Sequence, residues 1–127
     1  MPTLNNKYHI LCIDDNKNNL FSLGALLKSL KNSESTEVLS AKAALDVLLK
    51  NKIDLILCDV QMPEINGFEF AKMIKSNKKT KDIPIIFVTA VFKSEDFIKE
   101  GFELGAIDYI TKPIDDNQLL NKINLYL

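Results

Sequence analysis

Short apolar runs and longer stretches of helical period alternate five times along the chain. The runs at residues 8–13, 37–40, 53–58, 85–88 and 107–110 are rich in Ile, Val and Leu, and most are apolar at successive positions rather than at every second one. A strand buried on one face alternates apolar and polar residues; a strand covered by helices on both faces, as in a parallel sheet, does not. The second run is the most polar, which suits an edge strand.

Between the runs the apolar spacing changes to that of a helix. Leu20, Leu23, Leu27 and Leu30 form one stripe and predict a first helix over residues 16–30; a second is predicted over 41–51. A third begins near Gly67 with Phe70, Met73 and Ile74 expected to face inward, and gives way to a Lys-rich loop at 76–82. Pro84 opens the fourth run, where a missing N–H is tolerated. Ser94 is a suitable N-cap for a fourth helix, followed by Glu95 and Asp96 at the positive end of its dipole, and Gly105 is its predicted stop. The fifth helix is predicted over 115–127. This (βα)₅ order implies an α/β, doubly wound sandwich with a parallel five-stranded sheet. Residues 1–7 are polar and are expected to form a loose arm on a single domain spanning 1–127.

The polar residues fall where such a fold binds ligands, beyond the carboxyl ends of the strands and at the point where the winding reverses. Asp14 and Asp15 follow the first run, Asp59 the third, Thr89 the fourth, and Lys112 lies just past the fifth. Only the second delivers no such group, as expected if the strand order is 2-1-3-4-5. Two unit charges about 4 Å apart repel by roughly 4 kcal/mol at an effective dielectric of about 20, so three carboxylates need compensation. Lys112 supplies one positive charge, and a hard divalent cation such as Mg²⁺ would supply the rest; the lack of nearby His or Cys argues against zinc. A metal on carboxylates beside a hydroxyl and a lysine suits phosphoryl chemistry, and Asp59, on the central strand, is the natural nucleophile.

Composition narrows the functional classes. Hydrophobic residues make up 46% and charged residues 26%, as in an ordinary globular protein. The net charge is −1 and all 16 cationic side chains are Lys, which gives no basic footprint and no guanidinium fork for nucleic acid. No apolar run is long enough for a membrane span and none resembles a signal peptide, so a cytoplasmic protein is expected. Cys12 and Cys58 lie in apolar runs without CxxC spacing and read as buried small hydrophobes. His9, the one histidine, reads as a flank of the first strand. No GxxxxGK[ST] loop supports a nucleotide hydrolase, and no Ser/Thr/Gly-rich loop after the first run supports a flavin domain.

Four segments carry a family resemblance: ILCIDDN (10–16), ILCDVQMPEINGFE (56–69), IPIIFVTA (83–90) and GAIDYITKP (105–113). In order and spacing the chain resembles the response-regulator receiver (CheY-like) domains of two-component signal transduction. The resemblance implies that Asp59 is the phosphoacceptor, with Asp15 a direct Mg²⁺ ligand, Asp14 acting mainly through metal-bound water, and the Gln61 backbone carbonyl a further ligand. It implies that Thr89 is the switch hydroxyl, Lys112 the cation paired with the phosphoryl group, Tyr109 an aromatic that swings inward behind Thr89, and Lys112–Pro113 a cis bond. The implied partner is a histidine kinase or histidine phosphotransfer protein. The implied output goes through the face of helix 4, strand 5 and helix 5, to an output domain, a partner or a second copy. Such a domain catalyses only its own phosphorylation and dephosphorylation and is otherwise no enzyme. Val91, two residues past Thr89, cannot orient water, and a slow autodephosphorylation is expected from it. Val91, Phe92, Ile98 and Phe102 are candidates for the output face, and Phe21 for docking a phosphodonor. The rival of another class is a phosphorylation-independent interaction module with the same fold.

Overall fold

A computed structural model of the protein describes residues 7–90 and 95–127. Five strands alternate with five helices: β1 (Tyr8–Ile13), α1 (Lys17–Leu27), β2 (Ser33–Val38), α2 (Ala41–Lys50), β3 (Leu55–Asp59), α3 (Gly67–Lys75), β4 (Ile85–Thr89), α4 (Glu95–Glu103), β5 (Ala106–Thr111) and α5 (Asp116–Tyr126). The strands are parallel in the order β2-β1-β3-β4-β5. The chain thus has the CheY-like, flavodoxin-type doubly wound fold, and the winding reverses between β1 and β3.

Alternate residues of each central strand feed two separate cores, which is why those strands read as unbroken apolar runs. Leu11, Ile13, Ile56, Cys58, Ile85 and Phe87 pack on one face beneath α2, α3 and α4. Ile10, Cys12, Leu55, Leu57, Ile86 and Val88 pack on the other beneath α1 and α5, through Leu20, Leu23, Leu27, Leu119 and Ile123. The two thiols are buried and free, and lie on opposite faces.

Three expectations are corrected. Strand β2 runs over Ser33–Val38, not 37–40. Edge pairing needs only backbone groups, so the polar segment Ser33 to Val38 pairs with β1 from Tyr8↔Ser33 to Ile13↔Val38. Ser40, expected in the strand, instead caps α2, its hydroxyl accepting from the Ala43 N–H at 3.1 Å. Met73 is 43% exposed, because the buried face of α3 is set by Gly67, Phe68, Phe70, Ala71 and Ile74 and Met73 falls on its flank. Helix α1 ends at Leu27; tighter i→i−3 bonds, Ser29 N–H to Leu26 O and Leu30 N–H to Leu27 O, close the following turn. Asn16, Asn66 and Asp115 cap α1, α3 and α5, each accepting from the N–H three residues on. The expected cap Ser94 lies outside the described residues, as do Val91, Phe92 and 1–6 of the expected arm.

Candidate functional site

The ends of β1, β3, β4 and β5 meet at one rim. Asp14 is buried just past β1, and the start of α1 orients it: its Oδ1 accepts from the Asn16 N–H at 2.9 Å and its Oδ2 from Asn19 Nδ2 at 3.3 Å. Asp15 beside it is exposed. Asp59 is the last residue of β3, 6% exposed, with Oδ1 accepting from the Gln61 N–H at 3.3 Å. Oxygens of Asp14, Asp15 and Asp59 all lie within 4.8 Å of one another.

Lys112 joins this group from just past β5. Its Nζ donates to Asp14 Oδ2 at 2.8 Å and to Asp59 Oδ2 at 3.2 Å, and its backbone N–H donates to Thr89 O at 3.0 Å. The Lys112–Pro113 bond is cis. Thr89 ends β4 and is fully buried.

The charges do not balance. Burial pushes the Asp59 carboxyl up from its ordinary value; Lys112 opposes this, and the neighbouring Asp14 charge adds to it. Burial alone would lower the Lys112 ammonium, but its bond to Asp14 and the charges of both aspartates outweigh that and hold it above its ordinary value. One ammonium therefore serves two buried carboxylates, with a third at the solvent edge. Among the described residues this is the one group of three or more carboxylate, His or Cys ligands placed to share an ion. Its donors are all carboxylate oxygens, which fits a hard divalent cation and not a thiolate- or imidazole-seeking metal.

Several contributors had no sequence signal of their own. Asn19 reaches back across one turn of α1 to Asp14. Gly67 sits against the backbone that follows Asp59: a Cβ there would overlap the Asp59 carbonyl oxygen and lie 2.8 Å from Val60 Cα. Its N–H donates to Val60 O at 2.8 Å, so the absent side chain lets α3 start directly beneath the end of β3. Gly67 falls in the 56–69 segment that carries the resemblance, but a glycine has no chemistry that would name it as part of the site.

Tyr109 points inward, 8% exposed, with its ring centroid 5.2 Å from that of Phe102 and 5.6 Å from that of Phe87. Its hydroxyl donates to Ile98 O at 3.1 Å and Phe97 O at 3.3 Å, in the first turns of α4. Of the candidate contact residues, Phe21 is 80% exposed on α1 and Phe102 46% exposed on α4. His9 lies outside the site at the start of β1, its Nε2 2.7 Å from Thr36 Oγ1 and its Nδ1 3.5 Å from Glu34.

A doubly wound sheet with an acidic, lysine-bridged rim at its switch point defines a class of regulatory domain, and comparison with known proteins specifies it. Residues 10–124 match the model of the response regulator receiver domain, and the chain belongs to that family. A probable cyclic di-GMP phosphodiesterase of Vibrio cholerae is 37% identical over 93% of this chain and 26% of its own length. Protein PilH of Pseudomonas aeruginosa is 34% identical over 93% of this chain and 96% of its own. The chemotaxis protein CheY4 of Vibrio cholerae superposes with a TM-score of 0.88 at 27% identity, covering 95% of this chain and 99% of that one. Of the phosphodiesterase and two further curated relatives the chain spans between 26% and 52% of the length, so their whole activities belong to longer proteins. Among the described residues no helix is long and apolar enough to cross a membrane.

Proposed function

We propose that this chain is a phosphoacceptor, one receiver domain over 1–127, which takes a phosphoryl group onto Asp59 from a histidine kinase or histidine phosphotransfer protein. The observation that carries this reading is the bridge from Lys112 Nζ to Asp14 and Asp59, which gathers an acceptor carboxylate, a second carboxylate and a cation from three separate strand ends. An Asp59 oxygen attacks phosphorus, the donor's phosphorus–nitrogen bond breaks, and the freed imidazole of the donor takes up a proton. Asp14, Asp15, Asp59 and the Gln61 backbone carbonyl would hold Mg²⁺. When bound, that ion neutralises charge on the phosphoryl oxygens. Lys112 turns from Asp59 Oδ2 to a phosphoryl oxygen, and the Thr89 hydroxyl donates to another. Tyr109 follows Thr89, and the face of α4, β5 and α5 passes the change to an output domain, a partner or a second copy.

Intact mass after incubation with a small acyl-phosphate donor and Mg²⁺ tests this. Wild type should gain one phosphoryl group and Asp59→Asn none. No adduct on wild type, or an equal adduct on the variant, sinks the proposal and favours an interaction module that works without phosphorylation.

A further inference from the structure

Helix α4 contains a glycine where its own stability would favour almost any other residue. Gly101 lies in the interior of Glu95–Glu103, buried, and glycine is among the poorest helix formers. What occupies the place of its side chain is the phenol of Tyr109: a Cβ on Gly101 would overlap the Tyr109 hydroxyl, lie 2.7 Å from its Cζ, and press on Phe68 Cε1 at 3.2 Å. The hydroxyl enters the helix backbone itself. It donates to Ile98 O and Phe97 O, and the Gly101 N–H donates back to it. Phe97 O lies four residues before Gly101 and is the carbonyl its N–H faces in an α-helix, so the phenol sits against that rung of the ladder. Burial, with the Glu100 charge adding to it, pushes the phenol up to about 12. Phe87, Phe97 and Phe102 close the sides of the ring.

We infer that Gly101 is a positioning residue for the switch: its missing side chain is a socket that admits the Tyr109 hydroxyl into the α4 backbone, so that β5 and the start of α4 move as one when Tyr109 is inward. A residue with any side chain at this position leaves Tyr109 outside and uncouples the two elements. The inference rests on the proposed phosphoacceptor reading only for its trigger; the socket itself rests on the fit between Gly101 and Tyr109.

The chain has three tyrosines and no tryptophan, so with Tyr8→Phe and Tyr126→Phe the fluorescence of the full chain reports Tyr109 alone. In that background Gly101→Ala should raise the acrylamide quenching constant of Tyr109 about threefold or more, as the ring leaves a packed site for solvent. Unchanged quenching overturns the socket. Thermal unfolding gives a second reading that survives poor folding of the single variant. Gly101→Ala should lower Tm when Tyr109 is present and raise it in a Tyr109→Ala background, where alanine brings only its better helix propensity. A fall in both backgrounds overturns the proposal. Treating the same samples with the acyl-phosphate donor and Mg²⁺ separates the trigger from the socket. An adduct on both proteins should alter quenching where Gly101 is kept and leave it unaltered in the Gly101→Ala variant. Equal responses refute the coupling, whereas a missing adduct on wild type counts against Asp59 as acceptor and leaves the quenching and Tm comparisons to decide the socket.

Discussion

Asp59→Asn is expected to make the protein more stable in the absence of divalent cations. At an effective dielectric of about 20, Lys112 at 3.2 Å attracts the Asp59 charge by roughly 5 kcal/mol, and Asp14, with an oxygen within 4.8 Å, repels it by roughly 3.5 kcal/mol. The exposed Asp15 is screened and removes a little more. These terms come close to cancelling, so the cost of burying the ion decides the sign, and in real proteins that cost is several kcal/mol before any discount for a place at the rim. Asparagine keeps the shape and discards the charge. A gain of about 1–2 kcal/mol at pH 7 follows, which is a Tm rise of roughly 3–8 °C for a chain of this size. The pH dependence fixes the cause. Because the folded carboxyl sits above its unfolded value, the native state holds the Asp59 proton more tightly. The native form is therefore relieved of the charge below the unfolded value of about 3.9, and the penalty grows as pH rises through the folded one. Urea unfolding in chelator at pH 7 and pH 3 should show the asparagine advantage at the higher pH and its loss at the lower. Mg²⁺ at about 100 times its dissociation constant should then add about 2.7 kcal/mol to wild type and less to the variant. A variant less stable than wild type at pH 7 in chelator, or equally stabilised by Mg²⁺, would refute the charge balance.

Asp108 should behave in the opposite sense. Burial tends to raise its carboxyl, but bonds from Lys122, the Tyr109 N–H and Tyr126 outweigh it and hold it below the ordinary range. Its contribution is present above the unfolded carboxylate value and fades as pH falls through the folded one, so Asp108→Asn should cost about 0.5–1.5 kcal/mol at pH 7 and nearly nothing in acid, measured by the same unfolding series. Gly67→Ala should cost about 1–3 kcal/mol or more through its clash with the backbone after Asp59, and should slow adduct formation as well as lower the denaturation midpoint; a neutral substitution would show that the β3–α3 connection yields freely. Tyr109→Phe removes the bonds to Phe97 and Ile98 but keeps the ring, so it should cost about 0.5–1.5 kcal/mol against the 3–5 kcal/mol expected of Tyr109→Ala; equal losses would contradict the packing described.

The central strands and the rim were legible because both follow from burial. A strand covered on two faces has nowhere to put a polar residue except at its end, so the aspartates after β1 and at the end of β3, and Thr89 at the end of β4, stood out against Ile, Leu and Val. Strand β2 was misplaced for the same reason in reverse. It is an edge held by backbone pairing, and Ser33, Ser35 and Thr36 carry no hydrophobic signal to locate it. Met73 was misread because Phe70, Met73 and Ile74 fit a helical spacing that Phe68 and Ala71 satisfy better. Gly67 and Gly101 were invisible as site residues, since what matters at each is the space left by a missing side chain and not any chemistry it bears.

The parts of the site are far apart in the chain, and only the inferred strand order gathered them at one rim. Lys112 and Asp14 are 98 residues apart, and Lys112 and Asp59 53 apart, so no local pattern encodes their contact. The sheet does: with β1 beside β3 and β3 beside β4, Asp59 pairs with Val88, which places Thr89 one residue further along the same edge, and Thr89 pairs with Thr111, immediately before Lys112. Register alone thus carries charge and hydroxyl across four strands to one point. The same register puts Phe87 opposite Tyr109 two residues below the rim, so Asp59 lies two ladders, β3–β4 and β4–β5, from the ring whose hydroxyl reaches α4. Thr89 and Tyr109 lie on paired strands, and a change of Thr89 that leaves the β4–β5 register intact has Tyr109 and α4 as its nearest path outward.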